Sequence, residues 1–402
     1  MVFFFYTAHK TKINASHIFL GYCLMSLASP LLPGQQLEIG MPGPKLHSLL
    51  NLDPDLEEDR RRFDDEAFIE EIKQKPHAAK ARYTFNSHDE SYLPLHMVIM
   101  LGASTDVVEL LLNIYPISIA ATDCNGNTPL HTACEFQASL EVTSLLLEKF
   151  PGAAMEKDFQ NNTPLNIACR YRPTLEMISL LINVCPDAIR EKSEDGLTPL
   201  HSACSYQASF EVVSLLLQSW PAGVKEKDNI GMTPLHNSCE FEAPVEVVSL
   251  LMEKYPAASR EKDRYGRTPL QSACWHNAPE GVLKRLLEEC PSAVKTNDLL
   301  MGSLQEYDFE NEEARKLVSS VCCIMCDEMS KEAAVEIMTY FIKVNWWGGV
   351  CIFLSVHPNV LNVLGINDKY SPYLLSRVKH PWKLLTIWQL ISNKQDLLAT
   401  ST

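Results

Sequence analysis

Apolar positions along the chain form short helical stripes that recur at a fixed interval. Within residues 198–221, Leu200, Ala203 and Cys204 form one stripe, and six further apolar residues form a second stripe with spacings of three and four. A Thr-Pro pair precedes the first stripe, where threonine can cap a helix and proline is tolerated at the first helical position. Pro221 is expected to end the second helix. Each unit therefore predicts two antiparallel helices, followed by a connector whose Asp and Gly suit a tight turn.

The unit repeats along the chain with a period of 35 residues. Thr-Pro-Leu begins the copies at Thr128, Thr163, Thr198, Thr233 and Thr268. A proline closes them at Pro151, Pro186, Pro221, Pro256 and Pro291. A less regular copy stands one period upstream, from Leu93 to Pro116. One such unit cannot bury its own apolar face, so the repetition predicts a stacked solenoid.

The repeated segments resemble a known family. TPLHTAC, TPLNIAC, TPLHSAC and TPLHNSC are similar to the T-P-L-H-x-A signature of ankyrin repeats, and LEVTSLLLEK and FEVVSLLLQS resemble the second helix of that family. The resemblance spans Asp89 to Asp298. It implies an all-α solenoid with short β-hairpin loops, in which stacked helix-turn-helix repeats bind protein. Because the period exceeds the usual 33, we expect one extra residue between the helices and one before the hairpin.

The segments outside the array differ in composition. We expect a leader and a disordered acidic linker over residues 1–57, within which Met41 to Pro54 is rich in Pro and Gly. Residues 58–88 are interpreted as an N-terminal capping half-repeat, since terminal units of solenoids are atypical. The array itself covers 89–298. Residues 299–402 are predicted to form a helical C-terminal cap or degenerate repeats, and an independent helical domain remains an alternative.

Charge and motifs narrow the class of function. The formal net charge is -15, which argues against nucleic acid as the main partner because phosphate binding needs clustered Lys and Arg. No phosphate loop, dinucleotide fingerprint, zinc-protease motif or nucleophile elbow is present in the sequence. Glu156, Glu226 and Glu261 recur once per unit, as a structural corner would. We therefore expect no enzymatic activity and no cofactor.

Cysteine and histidine also follow the repeat. Five of the thirteen cysteines lie a whole repeat apart, which is too far for a disulfide, so we expect free thiols in the cytoplasm or nucleus. The recurring histidines are His96, His131, His201 and His236. Their spacing is likewise too wide for one metal ion, and the resemblance implies structural hydrogen bonds around the hairpin. Cys322, Cys323 and Cys326 lack a second ligand pair, so thiols in a helical core are favoured over a metal site.

One apolar segment bears on membrane attachment. Ile18 to Leu32 could serve as a signal or anchor, but few positive charges precede it and it is short for a membrane span. We favour a poorly ordered leader and a protein that does not associate with a membrane.

Two sets of varied positions are candidates for binding a partner. The first lies at the end of each first helix: Glu135, Arg170, Ser205, Glu240 and Trp275, each followed by Phe136, Tyr171, Tyr206, Phe241 and His276. The second comprises the hairpin tips: Cys124-Asn125, Phe159-Gln160, Glu194-Asp195, Asn229-Ile230 and Arg264-Tyr265. Aromatic residues dominate interface hot spots. The four successive aromatics are nevertheless interpreted first as packing between repeats, because a position that stays aromatic resembles a packing rule.

The sequence thus predicts a monomeric, non-enzymatic scaffold or adaptor that binds protein through its hairpin tips and concave face. Two alternatives remain open. The C-terminal 100 or so residues could be an effector domain that the repeats target, or the N-terminal segment could tether the repeats to a membrane.

Overall fold

The computed structural model describes residues 44–85, 88–171, 173–291, 312–325 and 329–357. Six helix pairs form a continuous stack in which each helix packs against its counterpart in the next pair. The pairs are α4 (Pro94–Met100) with α5 (Thr105–Ile114), α6 (Pro129–Glu135) with α7 (Leu140–Lys149), α8 (Pro164–Arg170) with α9 (Leu175–Val184), α10 (Pro199–Ser205) with α11 (Phe210–Ser219), α12 (Pro234–Glu240) with α13 (Val245–Lys254), and α14 (Pro269–Trp275) with α15 (Glu280–Glu289). The predicted all-α solenoid is confirmed.

The two helices of a pair bury different amounts of their surface. In α10 every residue from Pro199 to Cys204 is buried, because this short helix lies between the first helices of both neighbours. In α11 only one face is buried, through Val212, Val213, Leu216 and Leu217. Each buried aliphatic side chain contributes about 1.5–3 kcal/mol relative to exposure. The core therefore runs along the whole stack and is not closed within any one repeat.

The closing prolines do more than end the second helices. Each second helix ends two residues before the proline, and the proline then begins a five-residue 3-10 helix. The fixed φ of proline and its missing N–H suit a first helical position. The third and fourth residues of this turn are buried in four of the repeats, as Ala153 and Ala154 show. The corner before the hairpin is thus an ordered element that the sequence pattern did not predict.

The N-terminal segment is more ordered than expected, so the linker prediction over Met41 to Pro54 was wrong at Pro44–Leu50, which form a helix. Helix α1 (Pro44–Leu50) packs on α3 (Asp65–Gln74) and buries Leu46 and Leu50. Pro44 begins the helix instead of interrupting it. In chain order, helix α2 (Glu57–Arg60) comes between α1 and α3, and the hairpin of β1 (Tyr83–Phe85) and β2 (His88–Tyr92) follows α3.

Charge pairing also fixes this end of the array. The buried Glu71 carboxylate on α3 accepts a hydrogen bond from Lys75 at 2.6 Å and lies 3.6 Å from Lys45 on α1. A buried carboxylate needs such partners. Residues 1–43, which include Ile18 to Leu32, lie outside the described part of the chain.

Helices after the array stack on its last repeat. Helices α16 (Glu312–Ile324) and α18 (Trp347–Val356) pack against α15, and α17 (Lys331–Lys343) packs on α18. The Trp346 indole N–H donates to Glu288 on α15 at 2.9 Å, and Phe341 meets the Trp346 ring edge-on with centroids 4.8 Å apart. The helical C-terminal cap of the predicted fold is therefore present. No helix of the described residues is both long and apolar enough to cross a membrane.

Candidate functional site

The hairpin ridge is the row of tips 123–127, 158–162, 193–197, 228–232 and 263–267. In the first tip, the Asp123 carboxylate accepts hydrogen bonds from the backbone N–H groups of Asn125 and Asn127, both at 2.8 Å. Gly126 then turns the chain with φ +83°, a region where glycine is favoured. Asn161 takes the equivalent position with φ 59°, because asparagine tolerates this conformation better than most residues.

Backbone hydrogen bonds join each tip to the next. The Phe159 N–H donates to the Asn125 carbonyl at 3.0 Å, and the Glu194 N–H donates to the Gln160 carbonyl at 2.7 Å. The later tips repeat this arrangement. The tip backbone is therefore fixed, whereas two of its aromatic side chains are exposed, Phe159 by 72% and Tyr265 by 53%. A fixed backbone with exposed aromatic side chains suits recognition.

The repeated histidines hold the hairpins to the helices. In the fourth repeat, the His201 Nε2–H donates to the Met232 carbonyl of the next hairpin at 3.2 Å, and Nδ1 accepts from the Thr198 N–H at 3.3 Å. Asn166 makes the same pair of bonds in the third repeat. Burial lowers the pKa of His96, His201 and His236 to about 4, so these imidazoles are neutral. The predicted structural role is the one that their geometry shows.

Ion pairs connect the corners beneath the hairpins. Lys157 lies 2.7 Å from Glu191, and Lys192 lies 2.8 Å from Glu226. Lys227 and Glu261 continue the series at 2.8 Å. Each lysine therefore meets the glutamate of the following repeat. Partly exposed pairs of this kind contribute at most about 1 kcal/mol each, and they explain why the glutamates recur.

The loop ridge lies where the first helix of each repeat passes into the second. It comprises residues 135–137, 170–171, 205–207, 240–242 and 275–277. Four of its residues have left-handed backbones without being glycine: Gln137 (φ 54°), Gln207 (φ 55°), Glu242 (φ 54°) and Asn277 (φ 54°). A non-glycine residue in this conformation costs about 1–2 kcal/mol. Each of these residues follows the end of a first helix, where a left-handed residue commonly terminates the helix, and the sequence pattern did not predict them.

Contacts between consecutive repeats run along the loop ridge. The Tyr171 hydroxyl interacts electrostatically with the Glu135 carboxylate of the preceding repeat and lowers the pKa of that carboxyl. The Arg170 guanidinium lies over the Tyr206 ring at 5.4 Å from its centroid. The Glu240 carboxylate lies 3.6 Å from His276 Nε2. In these three cases the varied residue of one repeat contacts the ring of the next.

The fourth and fifth repeats are joined differently. Asn237 Nδ2 donates to the Ser205 hydroxyl at 2.9 Å, and Gln207 Nε2 donates to the Phe241 carbonyl at 2.9 Å. The short Ser205 side chain is thus reached by a longer one from the following repeat.

Exposure divides the candidate aromatics into two groups. Phe136, Tyr171 and Phe241 are half-buried, whereas Tyr206 is 43% exposed and Trp275 is 47% exposed. The half-buried rings fit the packing interpretation. The two exposed rings leave much of their surface available for a partner.

Glu135 has the most perturbed carboxyl of the loop ridge. Burial raises its pKa to about 7, against the smaller opposing effects of the Tyr171 hydroxyl and the Arg170 charge. Burial and the neighbouring carboxylate also raise the pKa of Tyr171. The two groups are half-buried and lie at the first step of the ridge.

Thiols and possible metal ligands are spread along the repeats. The repeat cysteines Cys134, Cys169, Cys204, Cys239 and Cys274 are free and buried, and burial raises the pKa of Cys204 to about 12. Cys322 is buried and Cys323 is exposed, whereas Cys326 lies outside the described residues. Over the described ranges, no three His, Cys, Asp or Glu side chains converge as metal ligands.

Regular helix pairs, hairpins bonded to their neighbours and two ridges of varied side chains define a repeat solenoid of the class that binds other macromolecules. Residues 141–228 and 210–298 match the family model of ankyrin repeats in three copies, and residues 111–168 match that of ankyrin repeats in many copies. A search among curated proteins found no significant match. Residues 111–298 of the chain are therefore ankyrin repeats, and ankyrin repeats indicate a protein–protein interaction domain.

Proposed function

We propose that this protein is a non-enzymatic scaffold or adaptor that binds a protein partner through its hairpin tips and its concave face. First-helix ends of ankyrin repeats commonly lie near the concave groove, so the loop ridge is assigned to that face. The observation that carries the proposal is the exposure of aromatic side chains on both ridges. Phe159, Tyr206, Tyr265 and Trp275 are between 43% and 72% exposed, and rings of this kind anchor protein interfaces.

Charge and composition support a protein partner. The net charge of -15 disfavours binding to nucleic acid. Buried free thiols favour a reducing compartment, the cytoplasm or nucleus. The proposed assembly is one copy of this chain with one or more protein partners.

Paired substitutions on each ridge test the proposal. One variant carries Tyr206→Ser and Trp275→Ser on the loop ridge, and another carries Phe159→Ser and Tyr265→Ser on the hairpin ridge. A matched control carries Phe210→Ser, because Phe210 is similarly exposed at 42% but lies on a second helix. Each full-length protein is used for affinity capture with cross-linking, followed by mass spectrometry of the captured proteins.

We expect the ridge variants to lose specific partners that the parent and the control retain, with thermal melting unchanged in all of them. Retention of every partner by both ridge variants would contradict the proposed surfaces. A lower melting temperature without altered capture would assign the rings to packing.

A further inference from the structure

One hairpin tip lacks the carboxylate that the other four tips share. Each of these carboxylates accepts two backbone hydrogen bonds, from the residues two and four positions further along the chain, at 2.7–3.0 Å. They belong to Asp123, Asp158, Asp228 and Asp263. In the third tip the same position is Ser193. One turn of the ridge therefore has a hydroxyl where the others have an anion.

The Ser193 hydroxyl reproduces only half of this pattern of bonds. Its oxygen accepts a hydrogen bond from the Leu197 N–H at 3.2 Å. The Asp195 N–H, which corresponds to the second donor of the other tips, has no acceptor among the described residues. A serine oxygen is one bond nearer to the main chain than an aspartate carboxylate oxygen, so it does not reach both donors.

The backbone of the third tip nevertheless has the geometry of its neighbours. Gly196 has φ 80° and Gly231, its counterpart in the fourth tip, has φ 81°. The Ser193 N–H donates to the Leu197 carbonyl at 3.0 Å, and the corresponding bond of Asp228 has the same length. The turn therefore keeps the form in which two N–H groups can bind one anionic acceptor.

Ser193 is also accessible, and acidic residues follow it directly. Its side chain is half-buried, whereas Glu194 and Asp195 are exposed. In the described part of the chain, the Ser193 hydroxyl donates to no other group, and neither acid makes an ion pair. The preceding Lys192 is paired with Glu226 at 2.8 Å. The tip is therefore complementary in charge to a basic enzyme groove.

We propose that Ser193 is phosphorylated by a protein kinase that selects serines followed by acidic residues, and that the phosphate takes the place of the missing carboxylate. In this reaction the Ser193 Oγ forms a bond to the γ-phosphorus of ATP. The bond between that phosphorus and the leaving oxygen of ADP breaks, and the hydroxyl proton passes to a base of the kinase.

The phosphate suits the turn because of its length and its charge. Its oxygens lie one bond further from the main chain than Oγ and are strong acceptors, so the Asp195 N–H gains a partner. The exposed carboxylates of Glu194 and Asp195 repel the added charge, but water and salt screen this repulsion. In the other four tips the anion is permanent, so this position of the third tip is the one that modification can switch.

The experiment uses the full chain, casein kinases and magnesium ATP, and mass spectrometry identifies the modified residues. A peptide of residues 188–200 shows whether the unfolded sequence is a substrate. Asp228→Ser is the matched variant, because it places a serine at the same position of the fourth tip, where Asn229 and Ile230 follow instead of acids. Amide hydrogen exchange is then measured for the parent, the phosphorylated chain and Ser193→Asp.

We expect Ser193 to be phosphorylated in the folded chain, and the serine of the Asp228→Ser variant to remain unmodified. Exchange of the Asp195 amide should slow at least about tenfold on phosphorylation, as for a hydrogen bond to a charged acceptor. Ser193→Asp should slow the same amide and raise the melting temperature, without any kinase.

Several results would overturn the proposal. If the kinases modify the peptide but not the folded chain, or modify neither, Ser193 is not a phosphorylation site. Equal modification of both serines would show that the acidic residues do not direct the kinase. Unchanged exchange of the Asp195 amide in the phosphorylated chain and in Ser193→Asp would show that the turn does not bind an anion. The scaffold function is tested by partner capture and stands in each of these cases.

Discussion

The hairpin ridge and the loop ridge have the same period but are held together in different ways. On the hairpin ridge, backbone groups bond from one repeat to the next, as Phe159 does to Asn125. On the loop ridge, the bonds between repeats run mainly through side chains, as from Arg170 to the Tyr206 ring. Any side chain that permits the turn can stand on a hairpin tip without breaking the bonds between repeats. A substitution on the loop ridge alters the contact between the two repeats itself.

The comparison shows which side chains of each ridge can be replaced without weakening the contacts between repeats. Tip side chains such as Phe159 are not needed for the hairpin bonds, so they are available for recognition at little cost in stability. Loop-ridge side chains both form the contacts between consecutive repeats and contribute to the exposed surface. We therefore expect substitutions on the two ridges to change the free energy of unfolding by different amounts, with different pH dependence and with opposite signs.

The largest expected effect is loss of stability in acid, through the histidines that anchor the hairpins. Their folded pKa of about 4 lies below the unfolded value of 6.5, so the unfolded chain binds more protons. Stability is present above pH 6.5 and is lost as the pH falls toward 4, by up to about 3 kcal/mol per histidine. His201→Asn copies the bonding of Asn166 and should lose less between these values. Urea unfolding across this range provides the measurement, and equal pH slopes for variant and parent would contradict the prediction.

The next effect distinguishes backbone strain from contact between tips. Gly126 and Gly266 both have positive φ, but a Cβ on Gly126 would lie 2.8 Å from the Phe159 nitrogen, and one on Gly266 would meet nothing within 4 Å. Gly266→Ala should cost about 1 kcal/mol, for the left-handed conformation alone. Gly126→Ala should cost about 3 kcal/mol, since the next tip must also move. Equal losses in chemical denaturation would show that the tips do not depend on one another.

A smaller effect, with the opposite pH sign, is expected on the loop ridge. The folded pKa of Glu135, about 7, lies above its ordinary value of 4.5, so the folded chain holds the proton more tightly. The stability that the protonated Glu135 carboxyl contributes to the folded chain is present at low pH and is lost as the pH rises from 4.5 through 7. Glu135→Gln should therefore be more stable than the parent by about 1–2 kcal/mol at pH 8, and similar to it in acid. Thermal melts at both pH values test this, and a difference that does not change with pH would contradict it.

The smallest effect concerns the left-handed loop residues. Glu242→Gly removes the cost of a side chain at φ 54° but makes the unfolded chain more flexible. The result should be a gain of between about 0 and 1 kcal/mol. The same measurement as for Gly126→Ala then gives opposite signs for the two ridges. A clear loss of stability would mean that the Glu242 side chain contributes to the contact between consecutive repeats.

Much of the fold could be predicted from the sequence because the same signals for the start and end of a helix recur in each repeat. Thr198 and Pro199 predict a helix start, and the structure has a capping box there. The 3-10 turn after Pro221 was not predictable from the rule that proline ends a helix. Helix α1 was missed because Pro44 was read as a linker residue, whereas its role depends on Leu46 and Leu50 finding a partner in α3.

The candidate site could be predicted only in outline. The varied positions are visible in the sequence, but nothing in it shows that Arg170 lies on Tyr206 or that Glu135 meets Tyr171. Those contacts depend on the angle between stacked repeats.

The lysine–glutamate ladder gives the array a direction. Each lysine reaches forward to the next glutamate, so within the described chain Glu156 begins the series without a lysine before it and Lys262 ends it without a glutamate after it. A further copy of the unit inserted in the middle would find partners on both sides. The array can therefore lengthen by whole units without leaving an unmatched lysine or glutamate between them, and its two ends keep the same unmatched residues.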